Sequence, residues 1–454
     1  MATHVYAGPW AGGLTDRRVI VKATVYAGVS NVRFLVDTSA DFPAPQGFPG
    51  SVSWLDPSGS YRNRVVSCRA EGLDPQRRYY YLLELNGIRQ LERVGTFRTL
   101  APVGEKADLR FGLGSCSGND GFFNFGFPHT EGFDVLADEC NDPGLDFFVH
   151  LGDLHYGNIK KASKLTKRIE RYEWFLEMAH HGKFFRNTAV SYCWDDHDFL
   201  GNNRSGGDPK YRAAARSALE AYDIFVPHHE FANAAFGATQ AFTAGRVRVL
   251  HTDLRFNKTS AAENGGTRTI LGKLQKQWLL GELKRAAEFD LVVWASSFPW
   301  IAPADPDADH WGGYQAERRE IADAIRDLAV RNLCMISGDA HMLSIDDGTN
   351  NRFSSDGRGG FPVFHAAALD SNPSQKGGLY SIGDERGSSG YGVAGKRQNG
   401  ICEVVYQRDG SNRPVGDPTV RWSGRRAGKK GTDQPKVVEI LRHEFPASRT
   451  FDGF

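Results

Sequence analysis

Six short apolar runs between residues 109 and 341 each end in side chains that can ligate, ionise or donate a proton. They read LRFGLGSC, LDFFVHLGD, TAVSYCWDDHD, GRVRVLHTDLRF, DLVVWASSFPW and NLCMISGDAH. Two further runs, FPVFHAAAL and ICEVVYQ, follow. Short apolar runs bounded by turn residues read as buried strands. Between them lie helical patterns. In KLQKQWLLGELKRAAE, Leu274, Trp278, Leu279, Leu280 and Leu283 supply one predicted apolar face. In AERREIADAIRDLAV, Ile321, Ile325 and Leu328 do the same. Strands alternating with helices predict a layered α/β fold. Sites in such folds gather beyond the carboxyl ends of the strands. The polar tips are Cys116; Asp153, His155 and Tyr156; Asp195, Asp196, His197 and Asp198; Asp253 and Arg255; Ser296 and Ser297; Asp339 and His341.

The first 105 residues have a different texture. RRVIVKATVYAG and VRFLVDTS are β-branched and partly alternating, and an aromatic strand ends at Asn86-Gly87, a hairpin signal. APVGEKAD reads as a linker. The chain therefore divides into residues 1–105, which resemble a fibronectin III or immunoglobulin-like β-sandwich, and residues 106–454, the α/β part. The tail after about residue 345 is rich in Gly, Ser and Asn and reads as long loops with a few late strands.

Charge and composition remove several classes. The formal net charge is +1, and the closest basic run, Arg425 to Lys430, reads as a solvated loop, so no specific nucleic-acid binding is expected. No apolar stretch reaches membrane-spanning length. Six cysteines form no C-x-x-C pair, which argues against zinc-ribbon and thioredoxin readings. MATHVYAGPW is not a signal peptide. DRRVIVK mimics a twin-arginine export signal, but Lys22 interrupts the apolar run and it reads as a strand.

What the strand tips do is open residue by residue. An aspartate after a strand is commonly a helix N-cap. A lone buried cysteine is commonly a small hydrophobe. Tyr156 alone reads as core or rim, and His341 alone as a hydrogen-bonded core histidine. WDDHD resists such readings, because three aspartates in four positions repel one another unless cations balance them. Carboxylate, imidazole, thiolate and phenolate together fit a metal centre better than a catalytic triad. Carboxylates suit hard ions such as calcium, magnesium or manganese, and the softer donors suit iron or zinc. An aspartate bridging two ions leaves a polarised water between them, suited to in-line displacement.

In order, GSCS, HLGDLHY, WDDHD, HTDLR and SGDAH resemble the motifs of PhoD-like alkaline phosphatases and phosphodiesterases, within the calcineurin-like metallophosphoesterase superfamily. The resemblance covers roughly residues 1–345, including the β-rich N-terminal part. It implies a two-sheet αββα sandwich with metals at the strand ends, and hydrolysis of a small phosphate ester by a metal-activated hydroxide. It implies iron ligated by Cys116, Asp153, Tyr156 and His341. It implies a second, hard ion, calcium, at Asp153, Asp196 and Asp339, with zinc or manganese as alternatives. Asp153 falls on the bridging carboxylate. His197 matches the histidine of the superfamily's GNHE motif, which protonates the leaving group. Arg255 is the expected phosphate clamp. Ser297 stands where purple acid phosphatases carry a histidine before Ser-Pro-Trp, which argues against that branch. His155 either lines the pocket or packs behind it. Family members are typically exported, so this chain is expected to be a mature exported form or a cytoplasmic variant. Its oligomeric state is not legible. Loops such as GNNRSGGDPKYR are expected to set substrate choice.

Two rival readings make different demands. GSCSG fits a nucleophile elbow with Cys116 in place of serine, as in an α/β hydrolase, but the following NDGFFNFGFPH does not read as the helix an elbow requires. A non-catalytic, metal-stabilised binding protein would use the sandwich for recognition. That reading leaves Cys116, Tyr156 and His197 together without a purpose.

Overall fold

Every residue of the Phe147–His150 strand is buried, as a strand flanked on both edges and covered on both faces must be. In the computed structural model, which describes residues 4–56, 59, 61, 63–118, 131–140, 144–259, 268–382, 392–428 and 437–448, this strand lies inside a ten-stranded sheet. Its parallel neighbours are Leu109–Gly114 and Ala189–Tyr192. Beyond Leu109–Gly114 the sheet continues antiparallel through Gln398–Arg408, Pro414–Ala427 and Val437–Pro446. The tail thus has the expected long loops followed by late strands, and those strands form an antiparallel meander.

A seven-stranded sheet faces it, in the order Gln240–Ala244, Val247–His251, Leu291–Ser296, Leu333–Ser337, Val363–Ala366, Met342–Asp346 and Val393–Ala394. The two sheets share one apolar core, in which Phe111, Leu113, Phe147 and Val149 meet Val249, Val293, Ile336 and Phe364. The outer face of the first sheet is covered by the helices Leu165–Glu177, Ala179–Asn187 and Arg212–Phe225, through Ile169, Phe184, Phe185 and Tyr222 packed with Phe148 and Val190. The outer face of the second is covered by Gly272–Lys284 and Gln315–Asp327, through Leu279, Leu283, Ile321 and Ile325.

The predicted faces of these two helices need adjustment. Leu274 is 54% exposed and Leu328 40% exposed, while Gln275 is buried. Gln275 faces inward because its amide is used: it accepts from the Asp253 amide at 2.7 Å and donates to the Asp253 carbonyl at 2.9 Å. A hydrogen-bonded glutamine thus occupies a position that an apolar periodicity would assign to leucine.

The N-terminal strands divide between two sheets. Gln46–Pro49, Val32–Asp37, Arg78–Leu85, Ile88–Arg89 and Gly95–Arg98 form a separate five-stranded sheet. Leu85 pairs with Ile88 across Asn86-Gly87, both in the left-handed region, as a tight hairpin requires. Val5–Gly12, Arg18–Tyr26, Asn63–Glu71 and Ser51–Leu55 instead extend the ten-stranded sheet. The junction is parallel, with Ala11 opposite Ala189 and Gly12 opposite Val190. A Cβ on Gly12 would lie 2.2 Å from the Pro227 carbonyl oxygen, so the join needs glycine there. One sheet thus runs through both parts of the chain.

Candidate metal centre

The tips of the parallel strands converge at one edge of the two sheets, and the backbone there turns sharply. Cys116, Asp153, Tyr156, Asp339 and His341 all have left-handed φ values between 48° and 74°. Each such residue costs on the order of 1 kcal/mol, and clusters of them mark functional sites. The turn after Phe147–His150 is tight enough that a Cβ on Gly152 (φ 99°) would lie 2.5 Å from the Asp195 Cβ. That glycine lets the Asp153 and WDDHD segments close on each other.

Two groups of ligand atoms result. Cys116, Asp153 and His341 present atoms within 4.8 Å of one another, and so do Asp153, Asp196 and His197. Asp153 belongs to both. Its carboxylate accepts from the His197 amide at 3.3 Å and lies 3.8 Å from the Cys116 Sγ. Asp339 falls outside both groups; its Oδ1 is 3.0 Å from Lys376 Nζ. The Tyr156 ring lies 4.7 Å from the His197 ring, and its hydroxyl is 2.8 Å from Ser371 Oγ.

The ionisable residues of WDDHD divide into three roles. Asp195 sits at the N-cap of the short Asp196–Phe199 helix but makes no side-chain cap. Its carboxylate instead accepts from Arg255 and, at 3.0 Å, from Ser297 Oγ. Asp196 and His197 face the centre. Asp198 turns back to accept from the amides of Leu154 at 2.9 Å and His155 at 2.8 Å, and from the Tyr192 hydroxyl at 2.6 Å. It fixes the loop that carries Asp153 and Tyr156. His155 packs rather than lining the cleft: it is buried against Tyr172, and its Nδ1 accepts from the Gly157 amide. Asp253 is likewise structural, capping the amides of Arg255, Phe256 and Ala238.

Arg255 departs from the expected clamp. Its side chain is 1% exposed, with Nε on Asp195 and Nη1 on Asp309, which also holds Lys258. Two of its donors are therefore committed to protein carboxylates. Asp309 and Lys258 had no signal in the sequence beyond their charge.

The electrostatics favour cations. Burial, then the neighbouring Asp196, Asp195, Asp198 and Asp339, pushes the Asp153 carboxyl well above its usual range. Burial, with Asp153 and Asp339, pushes the Cys116 thiol up in the same way. Burial raises Asp195 to about 7 even though Arg255 opposes it. For Asp196, burial is outweighed by Arg255 and His197, and for Asp339 by Lys376, Arg255 and His341; both are held low. Asp196 Oδ1 and Asp195 Oδ2 are buried without a hydrogen-bond partner among the described residues. Buried carboxylate oxygens left this way are costly, and an ion ligated beside Asp153 would satisfy Asp196. The donor set fits metal ions. Elbow geometry for Cys116 gains no support from Ser115–Gly118, which are not helical; the rest of the segment that reading needs, 119–130, lies outside the described residues.

Comparison with known proteins identifies relatives of the chain and of its fold. Alkaline phosphatase D of Bacillus subtilis (strain 168) is 23% identical over 320 residues, 61% of this chain and 53% of that protein, so the match spans about half the length of the relative. The fold is that of the solved structure of PhoD, with a TM-score of 0.72 and 17% identity over 99% of this chain and 92% of that one. The purple acid phosphatase PPD1 from yellow lupin (Lupinus luteus) seeds is more distant, with a TM-score of 0.59 and 13% identity over 96% of this chain and 74% of that one. Residues 111–381, which carry every candidate ligand, match the PhoD-like phosphatase family as a whole, and the chain belongs to that family.

Proposed function

We propose that this chain hydrolyses small phosphate esters at a centre of two or more metal ions, with iron held by Cys116, Asp153, Tyr156 and His341, and calcium by Asp153, Asp196 and Asp339. The observation that carries the reading is the position of Asp153, whose carboxylate belongs to both ligand groups. Iron is favoured by the thiol, phenol and imidazole donors, and calcium by the carboxylates of Asp153, Asp196 and Asp339. When bound, such ions lower the pKa of a water and neutralise charge on phosphoryl oxygens.

The remaining chemistry falls to the chain's own residues. His197 is the general acid for the leaving group. The Asn158 Nδ2 donates to the Tyr156 carbonyl at 3.2 Å, which turns its Oδ1 toward His197 Nδ1 at 2.8 Å. With Nδ1–H held there, the proton is given up and regained at Nε2. Arg255 acts as a positioning residue that fixes Asp195 beside Asp196, rather than as a clamp on phosphate. Residues 1–105 are read as a fibronectin III or immunoglobulin-like unit, supported by its two sets of antiparallel strands, with residues 106–454 as the catalytic unit.

Turnover of an aryl phosphate before and after chelation tests this. Exhaustive metal removal should abolish activity, and iron plus calcium should restore it. Full activity in protein that elemental analysis shows to be metal-free overturns the proposal.

A further inference from the structure

One segment touches three of the loops that build the candidate centre, those of Cys116, Tyr156 and His341, and nothing in its sequence predicts that. Residues 369–376 form a strap across it. The amides of Leu369, Asp370 and Ser371 donate to the carbonyls of Ser115 and Cys116 at 2.9–3.2 Å. Ser371 Oγ meets the Tyr156 hydroxyl, and the Asn372 carbonyl lies 2.5 Å from His341 Nδ1. Ser374 Oγ donates to the Ala340 carbonyl at 3.2 Å. The strap ends at Lys376, whose ammonium is 3.0 Å from Asp339 Oδ1 with its side chain 45% exposed.

Lys376 differs from the other cations near the centre. Arg255 and Lys258 are buried and committed to Asp195 and Asp309. Lys376 stands on a flexible stem, half exposed, with its ammonium on Asp339. Its ammonium answers Asp339 first, and also Cys116 and Asp153. A cation ligated by Asp339 would compete with Lys376 for that carboxylate. An ammonium displaced from a carboxylate next to a newly cationic centre is driven toward the next anion to arrive. In a phosphoesterase that anion is the phosphoryl group. A lysine serves here as a mobile point charge with three rotatable donors.

We propose that Lys376 is a substrate-binding residue that pairs with Asp339 in the metal-free protein and with the non-bridging oxygens of the phosphoryl group in the loaded one. The inference rests on the phosphoesterase reading. It makes the strap, rather than Arg255, the source of the protein's positive charge on phosphate.

The test compares wild type, Lys376→Gln and Lys376→Arg, each loaded with iron and calcium. Three quantities are measured: metal content, the dissociation constant of inorganic phosphate by calorimetry, and kcat and KM for an aryl phosphate. Lys376→Gln should keep wild-type metal content. It should bind phosphate about 10- to 100-fold more weakly, as loss of one charged hydrogen-bonding partner implies. KM should rise by a similar factor while kcat changes little, and Lys376→Arg should recover part of the phosphate affinity. Unchanged phosphate affinity in Lys376→Gln overturns the proposal. So does metal loss with undiminished phosphate affinity in the fraction that stays loaded, because Lys376 would then serve only Asp339. Failure of the phosphoesterase reading looks different: wild type itself would neither hold metal nor turn over the ester.

Discussion

The His197 amide donates to the Asp153 carboxylate at 3.3 Å, so the residue assigned to proton transfer is tied through its backbone to the residue assigned to bridging. The tie does not involve the imidazole. Replacing the His197 side chain therefore leaves the Asp153 contact in place, and the two roles are separable by mutation.

Asp153→Asn should lose metal and activity together, since an amide balances less cationic charge than a carboxylate. His197→Asn should keep its metal while kcat falls, by roughly a hundred- to ten-thousand-fold for a poor leaving group such as an alkyl phosphate. The fall should shrink for a good leaving group, which needs less protonation. Rates for a series of leaving groups, measured alongside metal content, check both points. Equal losses across the series would reject the acid role.

If Cys116 and Tyr156 both ligate ferric iron, the iron-loaded protein should carry a visible charge-transfer band. Tyr156→Phe and Cys116→Ser should each weaken or shift it. Ser371→Ala, which removes the hydroxyl 2.8 Å from Tyr156, should shift the band without abolishing it. An iron-loaded wild type without such a band would take both side chains out of the ligand set.

The strand tips were legible because an apolar run ending in Asp or His is a local pattern. Asp153, Asp196, His197 and His341 needed only that pattern. The division of labour within WDDHD was not legible, since Asp195, Asp196 and Asp198 are the same residue type and differ only in what the fold brings to them. Lys376 and Ser371 were hidden because the strap has no periodicity and meets the centre through side-chain contacts 31 to 215 residues away in sequence, as in the His341–Asn372 and Tyr156–Ser371 pairs. The parallel pairing of Ala11 with Ala189 was hidden for the same reason. Leu274 is exposed although it continues the apolar periodicity, because the helix instead buries Gln275 for its hydrogen bonds.

Asp198 should prove a stability residue. It accepts from two amides and one tyrosine hydroxyl, all buried. Asp198→Ala leaves those donors unsatisfied and should destabilise the fold by about 2–4 kcal/mol. Metal affinity should fall with it, because the loop of Asp153 and Tyr156 loses its anchor. Denaturant unfolding of the metal-free variant measures the first effect apart from the second. Stability within about 0.5 kcal/mol of wild type would remove Asp198 from this role.

Glu173 gives the protein a pH-dependent stability away from the metal centre. It lies on the Leu165–Glu177 helix, is 3% exposed, and takes the hydroxyl of Tyr61 from the loop before the Asn63–Glu71 strand. Burial raises its carboxyl from 4.5 to about 7, against the opposing hydrogen bond from Tyr61. The folded state thus binds this proton more tightly than the unfolded chain. The favourable contribution is complete below the unfolded value, declines between about pH 4.5 and 7, and is gone above that window. Its size is on the order of 2 kcal/mol, because part of the group's environment is still polar. Glu173→Gln cannot ionise, so its stability relative to wild type should rise across that window. The two proteins should match near pH 4, and the variant should be the more stable at pH 8. Urea unfolding at several pH values, with the variant subtracted from wild type, isolates this group from all others that titrate. A difference that stays constant with pH would mean that Glu173 titrates alike in the folded and unfolded protein, with the Tyr61 hydrogen bond offsetting burial.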